Sequence, residues 1–443
     1  MSVRPHAASP VSELIRRLLL TRRQSEQLAA PLSPEDCQAQ SMPDASPVKW
    51  HLAHVTWFFE TLVLEPREVD FRPWNQAYRV LFNSYYLQLG ARHPRPARGL
   101  LTRPTLAEVL AWRSNVDERL TRLLEHAPDP ELCWLVELGI QHEQQHQELL
   151  LTDVKHLLWS NPLRPAYLHA SAMAVSVPGP RLSPVATSWL PTREGLVMVG
   201  RPAGERSFHF DNEAPLHRVH LAPFQLAAAV VSNQEWRDFV EAGGYLDPRW
   251  WLDAGWAWRC AHEVTAPLYW SAPEAQSGSW QEFTLAGMRD LVDAAPACHV
   301  SYFEADAYAR WRSATHVDSA GCRLATEFEW ETWARSSDRA IQGNFLESGA
   351  LHPLPQQRSL PGPAQLFGDV WEWTASSYAP YPGYRPWSGA VGEYNGKFMI
   401  DQMVLRGGSC VTPQAHIRAS YRNFFPTAAR WQFSGVRLAR HVA

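Results

Sequence analysis

The stretch His142-Glu143-Gln144-Gln145-His146 puts two imidazoles four residues apart in a segment with the period of a buried helix. On a helix, residues i and i+4 stack on one face. Leu135, Leu138, His142, Leu149 and Leu157 recur at helical intervals, with His146 in the same stripe. Two histidines therefore stand where leucines are expected. That pattern fits a pair of hydrogen-bonded core histidines or a metal site, and a third candidate ligand shifts the balance between them.

Candidates for the third lie in Ser46-Pro47-Val48-Lys49-Trp50-His51-Leu52-Ala53-His54. Ser46 is placed to cap a helix and Pro47 suits its first turn. His51 and His54 follow among Leu52, Val55, Phe58, Phe59 and Leu62, so at least one faces the interior. Three imidazoles suit zinc or iron, and a face with open positions is what oxygen chemistry needs. Spacing alone does not choose the metal.

At 443 residues the chain is too long for one ordinary core, and two domains are expected. Its 45% hydrophobic and 19% charged residues describe a folded chain. A formal net charge of -4 leaves no broad basic field, which argues against nucleic acid as a partner. Cys37, Cys133, Cys260, Cys298, Cys322 and Cys410 are scattered with no C-x-x-C pair, so a reducing, cytoplasmic compartment is expected. No signal peptide or membrane-spanning run is read, and the oligomeric state is left open.

Helical periodicity over 13–29, 47–64, 106–126 and 130–158 predicts a four-helix bundle in residues 1–160. The connection over 65–104 is long for a compact domain and is expected to be functional. It holds Tyr85-Tyr86 and the arginines Arg92, Arg95 and Arg98. Residues 161–192 form a proline-rich linker. From 193 to 443 the texture changes to short strands, turns and many tryptophans, with two helices at 233–242 and 302–313. The fold class is α+β in two domains. Most of the 21 tryptophans are assigned to core packing.

With both halves read, the chain resembles the ergothioneine-biosynthetic sulfoxide synthases, EgtB-type non-haem iron enzymes, over nearly its whole length. The helices bearing Trp50-His51-Leu52-Ala53-His54 and His142-Glu143-Gln144-Gln145-His146 look like the DinB-type bundle that opens them. In the second half the carriers are Val231-Ser232-Asn233-Gln234-Glu235-Trp236, Arg323 to Glu331, Gly368-Asp369-Val370-Trp371-Glu372-Trp373-Thr374, Leu405-Arg406-Gly407-Gly408-Ser409 and Gly435-Val436-Arg437. They resemble the formylglycine-generating-enzyme, or sulfatase-modifying-factor, domain with its C-type-lectin-like core. That domain's two copper-binding cysteines are replaced here by Thr412 and Ile417, and Cys410 stands alone nearby.

The resemblance implies iron(II) held by His54, His142 and His146, with His51 as the alternative occupant of the first position. It implies three open positions for a donor thiolate, for the imidazole of hercynine and for dioxygen as cosubstrate. Gln145 is the implied hercynine contact, and Tyr85 or Tyr86 the active-site phenol. Arg95, with Arg92 or Arg98 in reserve, is placed to clamp a donor carboxylate, and Asp44 to hold its ammonium. Asn423, Phe424 and Phe425 are placed at the hercynine betaine. The implied reaction joins hercynine to cysteine or γ-glutamylcysteine as a sulfoxide. A selenoneine synthase using a selenosugar donor, a non-catalytic binding module and a zinc-dependent thiol transferase are the rival functions.

Overall fold

The computed structural model describes residues 10–442 except 169–187, 193, 203, 206, 274–277, 337–339 and 357–362. Most of the proline-rich stretch expected to link the halves lies outside the described residues. Helices α1 (Pro10–Ala29), α2 (Pro34–Gln38), α3 (Val48–Phe59), α4 (Tyr78–Leu81), α5 (Leu106–His126) and α6 (Pro130–Ser160) form the unit Met1–Ser160. Thr105 starts α5 with a capping box, its hydroxyl accepting from the Glu108 N–H while Glu108 reaches back. α1 packs on α6, and α3 on both α5 and α6. The four long helices stand within a few residues of their expected ends.

Two details differ from expectation. Ser46 does not cap α3: Pro47 holds that position with no side-chain cap, and the Ser46 hydroxyl accepts from Arg98 instead. The stripe on α6 is also wider than one face, since Leu135, Leu149 and Leu157 are only half-buried while Glu143, Gln144 and Gln147 are buried. The reason is a polar seam through the bundle. Glu143 accepts from Arg113, from Arg22 Nη1 at 2.9 Å and from Ser25 Oγ at 2.6 Å, and Arg22 Nε also meets Asp117 at 2.6 Å.

α3 is buried on every side, as a helix in the middle of a bundle must be. Its last turn opens into a π-helical segment, Glu60–Leu64. The approach of α3 to α6 is set by Gly139: a Cβ there would lie 2.2 Å from the Phe59 ring.

The unit Asn161–Ala443 is built from short pieces. Strands β1 (Trp189–Pro191), β4 (Phe224–Ala227), β13 (Leu438–His441) and β8 (Cys322–Leu324) form one sheet in the order β1-β4-β13-β8. A second has the order β11-β10-β9-β12, from β9 (Trp371–Ser377), β10 (Gln402–Arg406), β11 (Asn423–Pro426) and β12 (Ser434–Gly435), with only β12 and β9 parallel. β2 (Gly195–Val199) pairs with β3 (His217–Leu221), and β5 (Trp270–Ser271) and β7 (Gly287–Asp290) flank β6 (Gln281–Thr284). The architecture is α+β, as expected.

The expected helices appear as α7 (Asn233–Glu241) and α9 (Tyr302–Thr315), but α8 (Asp253–Ala261), α10 (Glu327–Ser336) and α11 (Glu393–Gly396) accompany them. α8 buries only Gly255, so it has no apolar stripe to read. In α10 the run Glu327-Phe328-Glu329-Trp330-Glu331 alternates like a strand. The helix forms because its acids are buried against arginines: Glu327 and Glu331 both bind Arg406, and Glu329 binds Arg323.

Candidate metal centre

α3 and α6 bring His54, His142 and His146 together although 87 intervening positions separate the first from the second. One ring nitrogen from each lies within 4.8 Å of the others, and no other such cluster occurs among the described residues. His54 and His142 are buried and His146 half-buried. Burial pushes the His142 ring down to about 4, and it holds His54 and His146 well below the ordinary imidazole range, with repulsion from the neighbouring rings adding to it. All three are therefore neutral near pH 7, which is the form that ligates a metal.

Each ring is braced. His54 Nδ1 donates to the Phe82 carbonyl at 2.6 Å, leaving Nε2 for a metal. Its faces lie between Trp50 and Trp57, with centroids 4.6 and 5.5 Å away and planes within 15°. His142 stacks on Phe58 at 4.7 Å, and its Nδ1 is a buried nitrogen without a hydrogen-bond partner. His146 Nδ1 meets His51 Nδ1 at 2.9 Å. The donor set fits a first-row metal ion: three neutral imidazoles, with no carboxylate among them, converge from two rigid helices.

His51 thus stands behind the triad, one layer out from where it was offered as an alternative ligand. Its other nitrogen, Nε2, meets Asp153 Oδ2 at 3.0 Å. Asp153 was not singled out by sequence, though it lies seven residues after His146 and so on the same helical face.

The 65–104 connection is not a bare strap. Arg98, in the 3₁₀ segment Arg95–Leu100, is buried with its guanidinium 3.4 Å from the Trp50 ring centroid. It donates to Ser46 Oγ at 2.8 Å and Ser84 Oγ at 3.0 Å, has no carboxylate partner among the described residues, and keeps Nε unpaired. Burial pushes it down to about 9. Arg95 is half-buried, donating to the Asp44 carbonyl and to Tyr85 Oη at 3.4 Å. Arg92 is exposed and bonded to the Ser84 carbonyl.

Tyr86 is buried with its ring 5.5 Å from Trp57, while Tyr85 is half-buried. The Asp44 residue is exposed and Gln145 half-buried. In the other unit, Asn423, Phe424 and Phe425 lie on β11, opposite Leu405, Val404 and Met403. Phe424 stacks on Tyr378 at 4.0 Å with planes 12° apart, and Phe425 meets Trp431 edge-on at 5.8 Å. Thr412, at one lost cysteine position, pairs with Ser409 Oγ at 3.0 Å.

A bundle with a three-histidine centre, followed in one chain by an irregular α+β domain, defines a two-domain metalloenzyme class. Residues 17–150 match the DinB superfamily, and 186–358 with 355–442 match the sulfatase-modifying factor enzyme 1-like domain. The chain is 31% identical to the hercynine oxygenase of Mycolicibacterium thermoresistibile, covering 99% of this chain and 96% of that one. It is 32% identical to that of Mycolicibacterium smegmatis, over 91% and 93%. The formylglycine-generating enzyme of Streptomyces coelicolor is 28% identical over 59% of this chain and 89% of its own. The chain belongs to the hercynine oxygenase family. It is an enzyme of the oxygenase class, and no helix among the described residues is long and apolar enough to cross a membrane.

Proposed function

We propose that this enzyme joins hercynine to a thiol, L-cysteine or γ-glutamylcysteine, in an iron(II)- and dioxygen-dependent reaction that yields the sulfoxide of ergothioneine biosynthesis. The observation that carries the reading is the convergence of three neutral imidazoles, with no carboxylate among them, in a member of the hercynine oxygenase family. His54, His142 and His146 would hold the iron. When bound, it supplies electrons to dioxygen and keeps a thiolate deprotonated. The balance closes: carbon–sulfur bond formation releases two electrons and sulfur oxidation two more. One oxygen atom ends in the sulfoxide and the other in water.

The chain's own residues do the remaining work. Arg98 is a buried cation without a carboxylate partner among the described residues, and a donor carboxylate would supply the missing charge. This moves the main clamp from Arg95 to Arg98 and leaves Arg95 to hold Tyr85. Tyr85 or Tyr86 supplies the proton that reduced oxygen needs, and Gln145 contacts hercynine. Asp44 takes the donor ammonium. In the second unit the resemblance offers Asn423 as a carboxylate contact, and Phe424 and Phe425 as aromatic faces of the kind that attract a trimethylammonium group.

The test is anaerobic loading with iron(II), then oxygen, with mass analysis of hercynine plus either thiol. Sulfoxide formed with iron and absent with zinc supports the proposal. Product from a selenosugar alone, or binding of hercynine with no product, would replace it.

A further inference from the structure

The polar chain behind the triad has a direction. Asp153 Oδ2 accepts from the Ser46 backbone N–H at 2.8 Å, which fixes that oxygen as an acceptor facing α3. At 3.0 Å from the same oxygen, His51 Nε2 is therefore the donor, carrying the proton. With its single proton on Nε2, the uncharged His51 ring has only a lone pair at Nδ1, so across the 2.9 Å contact His146 Nδ1 is the donor and its Nε2 is left bare. Asp153 and His51 are 6% and 3% exposed, so water does not compete for these bonds.

We propose that Asp153 and His51 are positioning residues that set the tautomer and the ring orientation of His146, and so the affinity of the centre for its metal. This rests on the reading of His54, His142 and His146 as a metal centre. It makes His51 an orienting group and not a ligand. The geometry favours this over simple core packing because Asp153 Oδ2 meets both the Ser46 N–H and His51 Nε2, and both nitrogens of His51 are engaged. Ser46, at the head of α3, ties Asp153 to the same helix that carries His54. Hydrogen bonding by a carboxylate through an imidazole makes the ligand ring more basic and removes its rotational freedom, and loss of such an outer partner weakens metal binding by about ten- to a hundredfold.

The experiment uses the full chain stripped of metal and titrated with cobalt(II) against a chelator of known affinity. Asp153→Asn and His51→Leu are each expected to weaken cobalt binding by about ten- to a hundredfold while keeping one ion per chain. The double variant should fall no further than His51→Leu alone, because both act through one line. His51→Asn, which returns an amide oxygen near the Nδ1 position, should recover part of the loss. Wild-type affinity in His51→Leu, or losses that add in the double variant, would overturn the relay. Should His51→Leu not fold, Asp153→Asn and His51→Asn carry the same comparison.

A second readout is independent of metal. In the apoprotein labelled with ¹⁵N-histidine, the His146 signal, assigned by its absence in His146→Gln, should show the proton on Nδ1. Asp153→Asn should mix the tautomers. A wild-type proton on Nε2 overturns the proposal. If wild-type protein takes up no cobalt, or takes it up equally well after His54→Ala, the metal-centre reading itself fails and the relay falls with it.

Discussion

Glu143 in the bundle and Glu327 in the second unit are both buried carboxylates held by two arginines, yet they stabilise different things. Glu143 meets Arg22 and Arg113 in the seam between helices of 20, 21 and 31 residues. Against the cost of burial, the two cations hold its carboxyl at about 2. One such contact fixes the rotation of a whole rod, and His142 is the next residue on that rod. Glu327 meets Arg406 and Arg422 among strands of two to seven residues. There the ion pairs join pieces too short to hold each other by ladders alone. Long elements turn a buried charge into aim; short ones turn it into cohesion.

The strongest way to break that comparison is to remove each acid. Glu143→Ala leaves Arg22 with only Asp117 and Arg113 with only Glu26, while Glu327→Ala leaves Arg406 with only Glu331 and Arg422 with no carboxylate partner among the described residues. Each is a loss of about 3–5 kcal/mol, visible as a large drop in denaturant midpoint. If the difference is real, the folded fraction of Glu327→Ala should bind cobalt(II) as the parent does, whereas Glu143→Ala should bind it more weakly. Equal cobalt affinities in the two variants would erase the distinction.

Next in size is the clamp. Arg98→Met should raise the Michaelis constant for the thiol by the loss of a charge-assisted contact, about 1.5–3 kcal/mol or roughly 10- to 150-fold, with metal content intact. Arg95→Met should show the smaller effect, and the reverse ranking returns the role to Arg95. Smaller again in total turnover are Tyr85→Phe and Tyr86→Phe, which should keep substrate binding and shift product from sulfoxide toward sulfinic acid. Product ratios per oxygen consumed decide which phenol matters, and unchanged ratios in both variants and in the double variant make the phenols structural.

A separate effect is expected with pH. His142 is held at about 4 in the fold, mainly by burial, against 6.5 for an unperturbed ring. Between those values the unfolded chain binds the proton and the folded one does not, so the apoprotein loses stability as pH falls from about 6.5 toward 4. His54 and His146 shift in the same direction. Asp117 and Glu60, raised by burial, oppose it at the acid end. Apoprotein melting midpoints that do not fall across this window would contradict the burial of the triad.

How much was legible in the sequence follows the same divide. In the bundle, 3.6-residue periodicity and the four-residue spacing of His142 and His146 sufficed, because long helices repeat their signal. What escaped was polar detail: the burial of Arg98 beside a half-buried Arg95 depends on which guanidinium a 3₁₀ turn points inward, and the choice left open between His51 and His54 depends on helix rotation. Asp153 was readable as a same-face partner seven residues past His146, but an acid on a long helix looks like a solvated one. In the second unit α10 hid because its buried acids and tryptophans alternate, and only arginines distant in sequence, such as Arg406, make that helix. Phe424 and Phe425 rest on resemblance alone, since nothing in a four-residue strand announces a binding wall.

Gly139 shows how finely the bundle is gauged. It is three residues before His142, and it faces Phe59, five residues after His54, with no room for even a methyl group. The jaw width between the helices that carry the imidazoles is therefore set by a hydrogen atom. Alanine at this position would act as a shim, prising α3 from α6 unless the Phe59 ring turned aside, and the span between the ligand nitrogens would widen with it. The enzyme's choice among ions of different radius would then be adjustable from a residue that touches none of them.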